Sequence, residues 1–84
     1  MSGIVSLRSV HGKFLSAQPD GRAEWNRTVA SAWEYFHVEE RQGGKIALRG
    51  AHGMYVSAQA DGSVQINRRS APPNGWEEFS VEHR

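Results

Sequence analysis

Residues Val5–Arg27 read VSLRSVHGKFLSAQPDGRAEWNR, and residues Ile46–Arg68 read IALRGAHGMYVSAQADGSVQINR. Aligned without a gap, 11 of the 23 positions are identical. The echo resumes with WEYFHVEER at Trp33–Arg41 and WEEFSVEHR at Trp76–Arg84, and the second copy carries two extra residues in between. A unit of about 41 residues used twice marks a repeat architecture, in which one unit cannot bury its apolar face alone.

Within each copy the apolar residues alternate and do not recur at helical spacing. Val5 and Leu7 share one face while Ile4, Ser6 and Arg8 take the other, and Ile46 and Leu48 repeat the arrangement against Ala47 and Arg49. Such alternation marks a strand with one buried face. The breaks between runs are chemically specific. His11-Gly12 and His52-Gly53 follow the first run of each copy, and Asp20-Gly21 and Asp61-Gly62 follow the second. Asp-Gly between alternating apolar runs is a strong hairpin signal, because glycine supplies the positive φ of the turn. Gln42-Gly43-Gly44 joins the copies as a tight turn, and the polar loop Arg27–Ala32 lengthens to Arg68–Gly75, taking up Pro72-Pro73.

Each copy therefore reads as four strands. The first copy places them near Ile4–Ser9, Phe14–Ala17, Ala23–Asn26 and Trp33–Glu39. The second places them near Lys45–Arg49, Met54–Ala58, Val64–Asn67 and Trp76–Glu82. The expected fold is all-β, one domain over residues 1–84 built of two repeats, 4–41 and 45–84. The pattern places Val5, Leu7, Leu15, Ala17, Phe36 and Val38 inside, with Ile46, Leu48, Val56, Ala58, Phe79 and Val81 as counterparts. Trp25, aligned with Ile66, is expected to be buried as well.

Eighty-four residues make a thin core, and with no cysteine neither disulfides nor thiolate zinc can reinforce it. A formal net charge of +1 and a lone Arg68-Arg69 pair exclude counterion-driven nucleic-acid binding. No apolar run is long enough to span a membrane as a helix. The cysteine-free composition points to the cytoplasm, and a secreted protein that had shed its leader would read the same way. The Met-Ser-Gly start reads as an initiator segment.

The segment Leu7-Arg8-Ser9, His11-Gly12-Lys13-Phe14-Leu15-Ser16-Ala17, Asp20-Gly21, Asn26-Arg27 and Trp33-Glu34-x-Phe36-x-Val38 resembles a repeat of the fascin-like β-trefoil family. The second copy matches through Leu48-Arg49, His52-Gly53-Met54-Tyr55-Val56-Ser57-Ala58, Asp61-Gly62, Asn67-Arg68 and Trp76-Glu77-x-Phe79-x-Val81. The resemblance implies that each repeat gives two strands to a short barrel and two to a hairpin cap. It also implies three repeats per domain, where this chain has two. A barrel lacking one third has open edges, which invite pairing with another chain. Completion by oligomerisation is the expectation. Repeat arithmetic favours a trimer and base rates of symmetry favour a dimer. A closed four-blade ring from two chains is the minority fold reading.

No arrangement of residues points to catalysis, a metal or a cofactor. His11 and His52 read as turn residues, His37 aligns with Ser80, and His83 sits at the chain end. The pairs Glu39-Glu40 and Glu77-Glu78 point to opposite faces of a strand and read as solvated. Ser16 and Ser57 read as structural. The candidate ligand-binding residues are Trp33 and Trp76, with Asn26, Arg27, Asn67 and Arg68 near the start of the same loops, since an aromatic face beside amide and guanidinium groups suits a polar ligand. The function expected is a non-catalytic binding or scaffolding module. Its partners would be its own copies and, from the family resemblance, actin. The alternatives are a carbohydrate-binding module, although the ricin-type Gln-x-Trp motif is missing, and a minimal or engineered repeat protein without a ligand.

Overall fold

A computed structural model describes residues 3–72 and 75–81. The expected reach of the last strand to Glu82, together with His83, Pro73 and the Met-Ser start, lies outside those residues. Among the described residues eight strands follow in order: β1 Gly3–Val5, β2 Phe14–Ala17, β3 Ala23–Arg27, β4 Phe36–Glu40, β5 Lys45–Arg49, β6 Tyr55–Ala58, β7 Val64–Arg68 and β8 Phe79–Ser80.

Strands β1, β4, β5 and β8 form a wall, with β1 antiparallel to β4, β4 to β5, and β5 to β8. The longest register joins the two repeats, running from His37↔Arg49 to Glu40↔Ile46. Each repeat adds a hairpin to this wall: β6–β7 continues the same sheet from β5 through Arg49↔Tyr55, and β2–β3 forms a two-stranded sheet of its own. This is the β-trefoil plan of two wall strands and two cap strands per repeat. The turns form where glycine was predicted to permit them: φ is +93° at Gly21 and +89° at Gly62, and the preceding Asp20 and Asp61 carboxylates accept the backbone N–H two residues on.

Several boundaries move. Strand β1 ends at Val5, well short of the expected Ser9. Trp33 does not open a strand, because Ala32–Glu34 coil into a short 3-10 turn and β4 starts at Phe36. Ser31 sets that turn: its N–H and its hydroxyl each donate to Glu34 Oε1 at 2.9 Å. In the second copy Trp76 and Glu77 likewise lie in a turn ahead of β8.

The core is Leu15, Ala17, Phe36, Leu48, Val56 and Ile66, with Leu7, Val38, Ile46 and Phe79 half-buried around it. Four residues expected inside are exposed: Val5, Ala58, Val81 and Trp25. The cause is positional. Ala17 is buried because repeat two covers it, whereas Ala58, in the matching place, is exposed. Likewise Ile66 is 1% exposed beneath the turn of the first hairpin, and its counterpart Trp25 is 45% exposed. Val5 belongs to the outer strand β1 and Val81 follows β8, at the two margins of the wall.

Several polar contacts weld the repeats. Ile66 N–H donates to the Gly21 carbonyl at 2.9 Å. Tyr55 Oη donates to Glu39 Oε1 at 2.7 Å, where Arg41 and Arg49 also converge. That bond to Glu39 pushes the Tyr55 phenol above its ordinary value. His52 Nε2 lies 3.0 Å from the Ala17 carbonyl, and because a carbonyl only accepts, Nε2 carries the proton. His52 thus does more than shape its turn.

Candidate functional site

The Trp-Glu step of each repeat sits beside a cleft. In the second repeat Trp76, Asn67, Arg68, Arg69, Ser70, Pro72 and Glu77 line a cleft of about 640 Å³. In the first, Arg27, Ser31, Ala32, Trp33 and Glu34 line one of about 300 Å³. The predicted grouping of Trp, Asn and Arg is therefore brought together in full by repeat two. Repeat one joins Trp33 to Arg27 without Asn26.

The asparagines do not hold turns. Asn26 Nδ2 donates to Glu24 Oε1 at 2.7 Å, and Asn67 Nδ2 donates to Gln65 Oε1 at 2.8 Å, each spanning two positions on one strand face. Both arginines close their strands, β3 at Arg27 and β7 at Arg68. The tryptophans differ. Trp33 is half-buried, with the His52 ring edge-on to it at 5.2 Å and 64°, while Trp76 is 52% exposed.

The floor of each cleft is a residue that sequence reasoning missed. Glu34 and Glu77 are buried carboxylates, contrary to the solvated reading of the Glu77-Glu78 pair. Each meets a buried serine on the second strand of its repeat. Ser57 Oγ donates to Glu77 Oε2 at 2.6 Å, and Ser16 stands by Glu34 in the matching place and helps to hold its pKa down. Behind them Gln18 and Gln59 donate to Ser16 and Ser57, each at 3.0 Å. Arg68 Nε stands 3.8 Å from Glu77 Oε2. The signal was available: Ser-Ala-Gln and Trp-Glu are identical in both copies, whereas Tyr35 after Glu34 becomes Glu78. A buried carboxylate survives only with such partners.

Burial alone would raise the Glu34 pKa. Its bonds to Ser16 and to the Ser31 N–H and hydroxyl, with Arg27 nearby, outweigh burial and hold it below the usual 4.5. A carboxyl whose pKa falls on folding adds stability above its unfolded pKa and loses it as pH drops through the folded one. The urea midpoint is therefore expected to fall as pH is lowered from about 5 towards 3, and Glu34→Gln is expected to flatten that slope. An unchanged slope in Glu34→Gln would show that other carboxyls carry the acid sensitivity.

The clefts are open, and each carboxylate on their floors is engaged by a serine of its own repeat. Among the described residues no group of three or more His, Asp or Glu gathers as a metal site, and no helix is long and apolar enough to cross a membrane. No curated protein matches the chain. The family model of the fascin domain matches residues 2–81. With that match running over nearly the whole sequence, and with two wall strands and two cap strands in each repeat, the chain belongs to the fascin domain family.

Proposed function

We propose that the chain is a non-catalytic protein-binding and scaffolding module, which completes its barrel with strands of another chain and presents its outer loops to a partner. The observation that carries this reading is the open wall. Ile4 is 61% exposed, Val5 and Val81 are exposed beside it, and Leu7, Val38, Ile46 and Leu48 line the same apolar trough. Small proteins rarely leave an apolar strand edge uncovered unless a partner takes it. Catalysis has no comparable support, because the buried carboxylates Glu34 and Glu77 and the ring of His52 are already committed to neighbours within the chain.

Family membership makes filamentous actin the first partner to test. Bundling needs two filament-binding surfaces, which one short chain gains by association. The protein is expected to pellet with actin filaments at low salt, and protein left wholly in the supernatant would remove actin from this reading. The carbohydrate alternative is weaker: the aromatic face it needs is open at Trp76, but at Trp33 it is engaged by His52.

A further inference from the structure

The junction between the two repeats has two sides. On the repeat-one side lie Ala17, the Gly21 turn and Trp33. On the repeat-two side lie His52, Ile66 and Asn67. His52 bonds the Ala17 carbonyl and meets Trp33, Ile66 N–H bonds the Gly21 carbonyl, and Arg22 bridges Gln65. Gly21 lies so close to β7 that a Cβ on it would stand 2.7 Å from Asn67 Cβ.

Both sides of this junction occur a second time among the described residues, and there they are exposed. Repeat two displays Ala58, Gly62 and Trp76, the counterparts of the first side. Ala58 and Trp76 are exposed, and a Cβ on Gly62 would meet nothing within 4 Å. Repeat one displays His11, Trp25 and Asn26, the counterparts of the second side, and all three are exposed. Val10 beside His11 is 97% exposed. Five of these six residues are identical to their partners in the internal junction, the exception being Trp25 for Ile66.

We infer that a second copy of this chain docks head to tail on the first, with the counterparts of the internal junction facing each other between molecules. The Gly62 turn of one copy seats on β3 of the other, beside Asn26 and accepting from Trp25 N–H, and His11 reaches the Ala58 carbonyl. In the same act β8 of each copy lies along β1 of the other. Two copies then satisfy both ends of each chain at once, in a closed twofold dimer of four repeats. A trimer that shares one chain between two three-repeat barrels would have to break the internal junction, with the β4–β5 register and the Glu39 cluster. The dimer breaks nothing. Four repeats close into a ring only if each outer junction opens wider than the internal one, and bulkier residues hold it open there: Ser9 stands where Gly50 packs on Ala17, and Trp25 replaces the smaller Ile66.

This inference deepens the scaffolding reading by naming the partner and the contact. Sedimentation velocity at micromolar concentration is expected to give twice the 9.4 kDa of one chain. Asn26→Trp fills the place that Gly62 needs while lying on an exposed strand face, and is expected to weaken association by roughly a hundredfold or more. Far-UV circular dichroism checks that the strands persist. If Asn26→Trp does not fold, His11→Ala decides: its ring touches nothing that holds one chain together, and its loss is expected to weaken association by about tenfold or more. A wild-type mass of one chain or of three, or a dimer indifferent to the substitution so used, overturns the proposal. Actin co-sedimentation is read separately, so a monomer that still pellets with filaments would refute the dimer and leave partner binding standing.

Discussion

Phe36→Ala is expected to destabilise the chain by about 3–5 kcal/mol, the range for truncating a fully buried phenylalanine and leaving its cavity. Phe36 is completely buried, starts β4, and lies within reach of Gly50, Ala17 and Ile66, so it touches both repeats. A chain of this length has roughly 4–13 kcal/mol of total stability. The loss therefore takes a large share, and the variant is expected to be partly unfolded at 37 °C. Urea unfolding followed by circular dichroism measures it. A cost below about 1 kcal/mol would mean that the two repeats do not share one core.

Gly21→Ala is the second large effect, expected at about 2–3 kcal/mol. Two causes add. The backbone at φ +93° strains any residue with a Cβ, at about 1–2 kcal/mol. The new methyl would also stand 2.7 Å from Asn67 Cβ, pushing the turn off β7 and weakening the bond from Ile66 N–H, which is worth about 1 kcal/mol. Gly12→Ala separates the causes. Its φ is +81° and a Cβ there meets nothing within 4 Å, so it is expected to cost only the backbone part. Equal losses from the two variants would show that the hairpins do not press together at Gly21.

The repeat leaves some contacts undetermined. His11 and His52 are one residue type in one kind of turn, yet only His52 finds a carbonyl and a tryptophan ring to engage. A two-unit array has one internal junction, so each shared residue has a used and an unused version. That asymmetry follows from the number of repeats and has no trace in the local sequence.

Strand identity and the positions of the Asp-Gly turns were legible from the chain alone, because alternation and turn chemistry act over two to four neighbouring residues. The central core was legible for the same reason: Leu15, Phe36, Leu48 and Val56 each lie on the inward parity of their strands. Burial at the margins was not. Ala17 and Ala58, or Ile66 and Trp25, differ only in whether another repeat stands beside them. The clefts were half legible, since Trp76, Asn67 and Arg68 do meet, while the buried Glu34 and Glu77 beneath them were hidden. A carboxylate is polar by composition, and only the serine brought to it from a distant strand makes its burial affordable.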